Sequence, residues 1–403
     1  MFNKIKEWFY GPDYTTLRYK QIVEQFNKQN KNIVTEEDIS TFIDTIIKKV
    51  DKEYTIIKNN KPIYNEFVII DDDRRWAIYK SFIDEELLNY RYNRVVDNLQ
   101  FTDDTSKKLI TTILDNQIQY VKENFVVDNY IPIELYVETI YKIYNNILKL
   151  RGLIGIQPGN TPVGLVYKLV PTFTDDKKML EVRGFTFESV TRKFQTILTL
   201  EIVQDLQWGL NKLDIHSKLS DILAAEISFE IMNELIYNVY NLAKQNTIKS
   251  TLKELPVNID VAALNIKCNT QRGSGNYILT DGEGWNNLKK HCSKNLTIYK
   301  EELDYDEIEL VGTIGDIQIY VIVNNSTLNS DSYYTYIMSY GAESSIDNGL
   351  IFAPYIPIIL GPTVINELTF APTRSLLTRY AIVSQDTDSN YYQVIKCRKS
   401  KRK

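Results

Sequence analysis

Glu226, Glu230 and Glu234 recur at every fourth residue and so share one face of any helix that carries them. A row of carboxylates on a helix suggests a metal centre of the di-iron bundle kind, but such a centre also needs Glu-x-x-His partners. Neither His216 nor His291 supplies one. The row therefore reads as a solvated or subunit-facing acidic stripe. Asp71, Asp72 and Asp73 suggest a cation site, yet no glycine or terminal glutamate follows at calcium-loop spacing. They fit a charged helix start, with acids near the positive end of the dipole.

Gly273-Ser274-Gly275 lacks the extra residue on each side of the serine that a nucleophile elbow requires, and no Gly-Lys-Ser/Thr follows as in a phosphate loop. Arg272 beside two glycines suggests a phosphate contact. The simpler reading is a tight turn in which Gly273 and Gly275 supply positive φ. Asp281-Gly282-Glu283-Gly284 reads as another turn before Trp285. Cys268, Cys292 and Cys397 are widely spaced and odd in number, against a disulfide framework or a zinc site. Cys292 reads as a buried thiol beside a surface imidazole, His291. No matched nucleophile and base remains, so the chain is not expected to be an enzyme or to hold a cofactor or metal.

The 403 residues suffice for two or three compact units, and 43% hydrophobic with 25% charged residues is a globular composition. The net charge of −5 does not recruit nucleic acid. No apolar run has the length of a membrane span, and Met1–Tyr10 lacks a signal core, so synthesis in a cytoplasm is expected.

Residues 12 to about 150 show helical spacing, as in Leu109, Ile110, Ile113, Ile118 and Val121, with Thr35 and Asp38 as a capping pair. At Arg151 the composition changes. Residues 152–167 hold four glycines and two prolines and read as extended and irregular. Charged residues 171–188 form an excursion between two strand-like runs, read as a protruding hairpin loop. Residues 190–198 look extended, and Leu200–Trp208 looks helical with Gly209 as its stop. The longest helix is expected from an N-cap at Ser217 to Lys244, on the order of 40 Å. From about residue 260 the period turns to strand: 277–279, two runs around Gly315-Asp316, then 333–340, 350–360, 376–383 and 391–397. Residues 398–403 form a basic tail.

Five ordered blocks carry a resemblance. They are Gly155-Ile156-Gln157-Pro158 with Thr161-Pro162-Val163-Gly164; Leu200-Glu201-Ile202-Val203-Gln204-Asp205-Leu206; Ile222–Ile227 with Glu230–Glu234; Asn269–Ile278 paired with Gly349–Pro357; and Arg379-Tyr380-Ala381-Ile382. Together they resemble the major capsid proteins of T-even-type tailed phages. Gly159 departs from the methionine usual in that family, and residues 1–148 match nothing in it.

The resemblance implies an α+β fold of the Hong Kong 97 type. Residues 1–148 would be a mostly helical extension, 149–189 an N-arm and short extended loop, and 190–254 a peripheral domain with the spine helix at 217–244. Residues 255–352 would be the axial domain, and 353–403 the return strands and basic tail. The extended loop is shorter than in members that carry an added domain there. The implied function is a major capsid protein of a tailed double-stranded DNA phage, forming hexamers and the icosahedral head. A pentameric vertex protein of the same fold and a cellular shell protein are the alternatives. Expected partners are copies of the chain, a pentameric vertex protein, scaffold, portal and decoration proteins, and weakly held packaged DNA, with no membrane; the expected location is the virion. Asp175, Asp176, Lys177, Lys178 and Arg183 are the candidate inter-subunit contacts, and Gly273 and Gly275 the structural turn.

Overall fold

The structure is a computed structural model that describes residues 92–93, 96–97, 99–101, 103–124, 133–174, 177–197, 215–300, 308–323, 325, 327–328, 332–342, 344–365 and 372–399. The chain forms two compact units, Met1–Leu99 and Gln100–Lys403. In the first, Tyr92, Asn93, Val96 and Asp97 are helical, Tyr92 is buried, and the Leu99 amide donates to the Val96 carbonyl at 3.1 Å. The Thr35/Asp38 pair, the Asp71–Asp73 run and the helix expected at 200–208 lie outside the described residues.

The second unit opens with two helices, α1 (Asp104–Asn124) and α2 (Ile133–Leu148). Asp103 starts α1: its carboxylate accepts from the Ser106 amide at 2.8 Å, which satisfies a free N–H of the first turn. Arg151, just past α2, grips the same carboxylate with two nitrogens at 3.1 and 2.7 Å and holds Asp103 well below the usual carboxylate range. Ile110, Ile113, Leu114 and Ile118 give α1 one buried face, and Val137, Ile140, Ile143, Tyr144 and Ile147 do the same for α2. Both helices join the body, α1 along the long strand β11 (Leu350–Ile365) and α2 along the spine helix α3 (Ile215–Ala243). The unit boundary therefore falls at Leu99/Gln100, and residues 104–148 are not a separate extension.

Beyond α2 come β1 (Ile154–Ile156), β2 (Val163–Thr174), β3 (Lys177–Glu188) and β4 (Val190–Ile197). After α3 follow β5 (Thr247–Ser250), α4 (Leu255–Thr270), β6 (Tyr277–Thr280), α5 (Gly282–His291), β7 (Leu296–Ile298), β8 (Ile308–Ile314), β9 (Ile317–Ile322), β10 (Tyr333–Ser339), β11, β12 (Pro372–Val383) and β13 (Tyr392–Arg398). They make a four-stranded sheet in the order β1-β11-β12-β4, a seven-stranded sheet in the order β5-β13-β10-β6-β9-β8-β7, and the β2–β3 ribbon. The fold is α+β.

Strand β11 is interrupted three times against β12, at 354/356, 356/359 and 360/363. Pro354, Pro357 and Pro362 stand at these points, and each removes a ladder donor. On one face of the seven-stranded sheet, α4 and α5 bury Leu255, Ile259, Ala262, Ile266, Trp285 and Leu288 against Val311, Ile319, Tyr336 and Ile395.

Several sequence expectations change here. Residues 255–270 and 282–291 are helices, not strand and turn. Asp281 is the N-cap of α5, accepting from the Gly284 amide at 2.6 Å. Helix α3 already runs at Ile215, so Ser217 is its third residue and not its cap. The segment 152–167 carries regular strand at 154–156 and from 163 on. The basic tail is partly built in: Arg398 ends β13, and Lys399 pairs with Glu283.

Candidate assembly surfaces

The expected excursion is the β2–β3 hairpin, whose register is unbroken from Val163↔Glu188 to Thr174↔Lys177. Its root is locked. Val166 and Phe187 are buried on its inner face against Ile351, Ala353 and Ala381 of the four-stranded sheet. Beside them the Lys168 side chain, 4% exposed, inserts its ammonium between the Gly349 carbonyl and the Asp388 carboxylate. Burial lowers the Lys168 pKa and raises that of Asp388, and their mutual attraction opposes both shifts. Removing one partner would leave the other charged and dry, the costly way to break such a pair.

Gln157 completes the lock with its side-chain amide. The Nε2 group donates to the Tyr167 carbonyl at 2.8 Å and the Ser345 carbonyl at 3.0 Å, while Oε1 accepts from the Tyr167 amide at 2.9 Å. One glutamine thus acts as a short strand between the hairpin and the loop before β11. The Gln-Pro signal was visible in sequence; this role was not, because its partners lie at positions 167 and 345.

The opposite face of the hairpin is apolar and open. Val163, Leu165 and Tyr167 of β2 share it with Leu180 and Val182 of β3, each between 48% and 60% exposed. Of the candidate contact residues, Lys177 and Lys178 open β3, and Arg183 is exposed and pairs with Glu181 at 3.0 Å. Asp175 and Asp176 lie outside the described residues.

Residues 271–276 form a packed corner. Gln271, not a glycine, takes the left-handed conformation, with φ 52°, and caps α4. Positive φ is absent at Gly273 and Gly275; among described glycines only Gly315 has it. These two positions are glycine for space: a Cβ on Gly273 would meet the Tyr340 ring at 2.4 Å, and one on Gly275 the Met338 sulfur at 2.7 Å. Asn276 then exchanges two hydrogen bonds with Gly341, at 2.8 and 2.9 Å. The Arg272 side chain is 8% exposed, with Nε 3.6 Å from Asp347, and it faces the interior rather than presenting a phosphate cradle.

The glutamate row divides. Glu226 and Glu230 are exposed on α3. Glu234 accepts from Arg192 of β4 at 2.6 Å and from the Tyr380 hydroxyl of β12, with the guanidinium 5.4 Å from the Tyr380 ring centre. It joins the spine helix to the sheet below, so it is not part of a solvated stripe. Among the described residues no group of three His, Cys, Asp or Glu side chains could hold a metal, and no helix is long and apolar enough to cross a membrane. Cys292 is buried beside exposed His291, and burial pushes its thiol up to about 11, away from the reactive thiolate. A cleft of about 900 Å³ between α2 and strands β8 and β9 holds the ion pairs Asp103–Arg151 and Lys300–Glu309, charges already matched within the chain.

A long helix against a bent four-stranded sheet, a rooted hairpin and a seven-stranded sheet layered with helices make up this α+β body. Residues 179–402 match the family described as Major capsid protein Gp23, more than half of the chain, and the chain belongs to that family. The major capsid protein of Salmonella phage ViI is 25% identical over 224 residues, covering 50% of each chain. That of Serratia phage KSP90 is 26% identical over 226 residues, 51% of this chain and 50% of its own. The chain thus spans about half the length of the curated relatives it matches. A solved structure from Microbacterium phage Oxtober96 has a TM-score of 0.41 at 14% identity, covering 60% of this chain and 88% of that one.

Proposed function

We propose that this chain is the building block of a tailed-phage head, whose copies join into hexamers and then into an icosahedral shell around double-stranded DNA. The observation that carries the reading is the family match from the second strand of the hairpin through the spine helix and both sheets to the C-terminal strand. In this reading the four-stranded sheet and α3 form the peripheral domain, the seven-stranded sheet with α4 and α5 forms the axial domain, and the hairpin is the extended loop. Asp175, Asp176, Lys177, Lys178 and Arg183 touch a neighbouring subunit. Scaffold, portal, decoration and pentameric vertex proteins are its partners. It is made in the host cytoplasm and ends in the virion. The net charge of −5 lets packaged DNA lie against the wall without sticking to it. Electron microscopy of the purified chain, with the phage's own scaffold where one is needed, is expected to show hexamers or closed shells. A monomer at every salt and concentration would overturn the reading.

A further inference from the structure

Helix α4 is apolar on two opposite faces. Leu255, Ile259, Ala262 and Ile266 press on the seven-stranded sheet and are buried. Val257, Val261 and Leu264 point the other way and are 64%, 40% and 57% exposed, and exposed Cys268 continues the row. At 100° per residue these four positions fall within an arc of about 60°. Asn258, Asp260, Asn265 and Lys267 occupy the flanks, so the outer row is a separate apolar stripe, which on a helix normally faces a partner. No described residue of the chain encloses this one.

Resting on the shell reading above, we propose that the outer face of α4 is a seam between copies of this chain, and that the neighbour covers it with the open face of its β2–β3 hairpin. Area supports a second copy. Val257, Val261 and Leu264 together leave on the order of 270 Å² exposed, and the five hairpin side chains about 500 Å². A standard interface buries about 1,600 Å² over both partners, a little over half of it apolar, or about 900 Å². Two α4 faces together fall well short of that, whereas one α4 face and one hairpin approach it.

Length and symmetry agree. The α4 row from Val257 to Cys268 is about 17 Å long and fits within the open face of the hairpin, which from Val163 to Leu180, opposite Pro171, spans about 27 Å. Contacts that close a ring are heterologous and join two different patches of one subunit, which every copy here carries in equal number. The hairpin does not serve its own α4, because its root is held by Lys168, Gln157 and the hydrogen bond from the Leu169 amide to the Ile346 carbonyl at 2.9 Å.

Cys268 is a built-in reporter, since Cys292 and Cys397 are buried. Free subunits and particles assembled from this chain alone would be treated with a maleimide without denaturant. Labelling of Cys268 is expected to slow at least about tenfold in particles and to recover on disassembly. A short bis-maleimide added to particles of Leu165→Cys, or of Tyr167→Cys as the second variant, is expected to link chains through Cys268 into a covalent ladder. Equal labelling of free and assembled chains overturns the seam. Protection without a ladder from either variant overturns the hairpin as its occupant. Protection that needs a different phage protein assigns the face to that protein and also overturns the proposal. If no particles form even with the phage's own scaffold, the shell reading fails first, and the seam with it.

Discussion

Helices α3 and α4 both carry apolar residues on more than one face, yet the molecule treats them differently. Helix α3 is packed by α2 on one side and by β4, β12 and β13 on others, so Ile227, Ile231, Leu235, Ile236 and Val239 are all buried. Helix α4 meets the sheet on one side only and leaves Val257, Val261 and Leu264 open. Similar composition therefore has two uses: one helix holds the subunit together, and the other is left for contact outside it. Hydrophobic stabilisation follows the area removed from water, so the two helices should respond to mutation in different assays.

The largest effect is expected on α3. Leu235→Ala removes a fully buried side chain and should cost about 2–5 kcal/mol in a denaturant titration of the free subunit. A loss under about 1 kcal/mol would break the contrast, because it would mean that α3 is not held as described. Next is the corner at the end of α4. Gly275→Val forces a Cβ onto Met338 and Ile266 and should destabilise by roughly 1–3 kcal/mol. If the fault is space and not backbone strain, Gly275→Val and Met338→Ala should be non-additive, the double variant losing less than the sum of the two single losses, and strict additivity would count against the packing account.

Smaller is the cap that starts α1. Asp103→Ala should lower stability by about 1 kcal/mol, and Asp103→Asn by less, since asparagine also caps. The Asp103 pKa is depressed in the folded chain, first by the hydrogen bond from Arg151. Its contribution is therefore full above the unfolded carboxylate value of about 4 and is lost as pH falls below that toward the folded value. Wild type and Asp103→Asn are expected to converge in stability at low pH and to separate toward neutral pH. A constant gap across the titration would remove the ion pair from the argument. The smallest effect on the free subunit is expected from Leu264→Ala, within about 0.5 kcal/mol, while particle yield falls. A destabilisation as large as that of Leu235→Ala would mean that α4 is covered within its own chain.

How much could be read in advance follows the same contrast. The spine helix was legible because Leu219, Ile222, Leu223, Ile227, Ile231 and Leu235 keep one helical period. The hairpin at 308–322 was legible because turn residues separate strand-like runs, and the excursion at 171–188 was legible from its charges, while the start of its first strand at 163–167 was hidden by glycine and proline. Helix α4 was not, because Val257, Val261 and Leu264 add a second apolar face that erases the period of the first. Asp281 showed only a turn, since an N-cap and a turn use the same residue types.

By itself the sequence determined the α+β class, an excursion at 171–188, most of the later strands and, through five ordered blocks, the family. These depend on local periodicity and on residue types at fixed spacing. Tertiary structure alone decided that Gly273 and Gly275 are small for Tyr340 and Met338, and that Glu234 belongs to Arg192 and Tyr380 rather than to a stripe. It also decided that Lys168 is buried against Asp388, 220 residues away. Such roles are set by which side chain arrives from a distant part of the chain, and spacing along the sequence carries no measure of that.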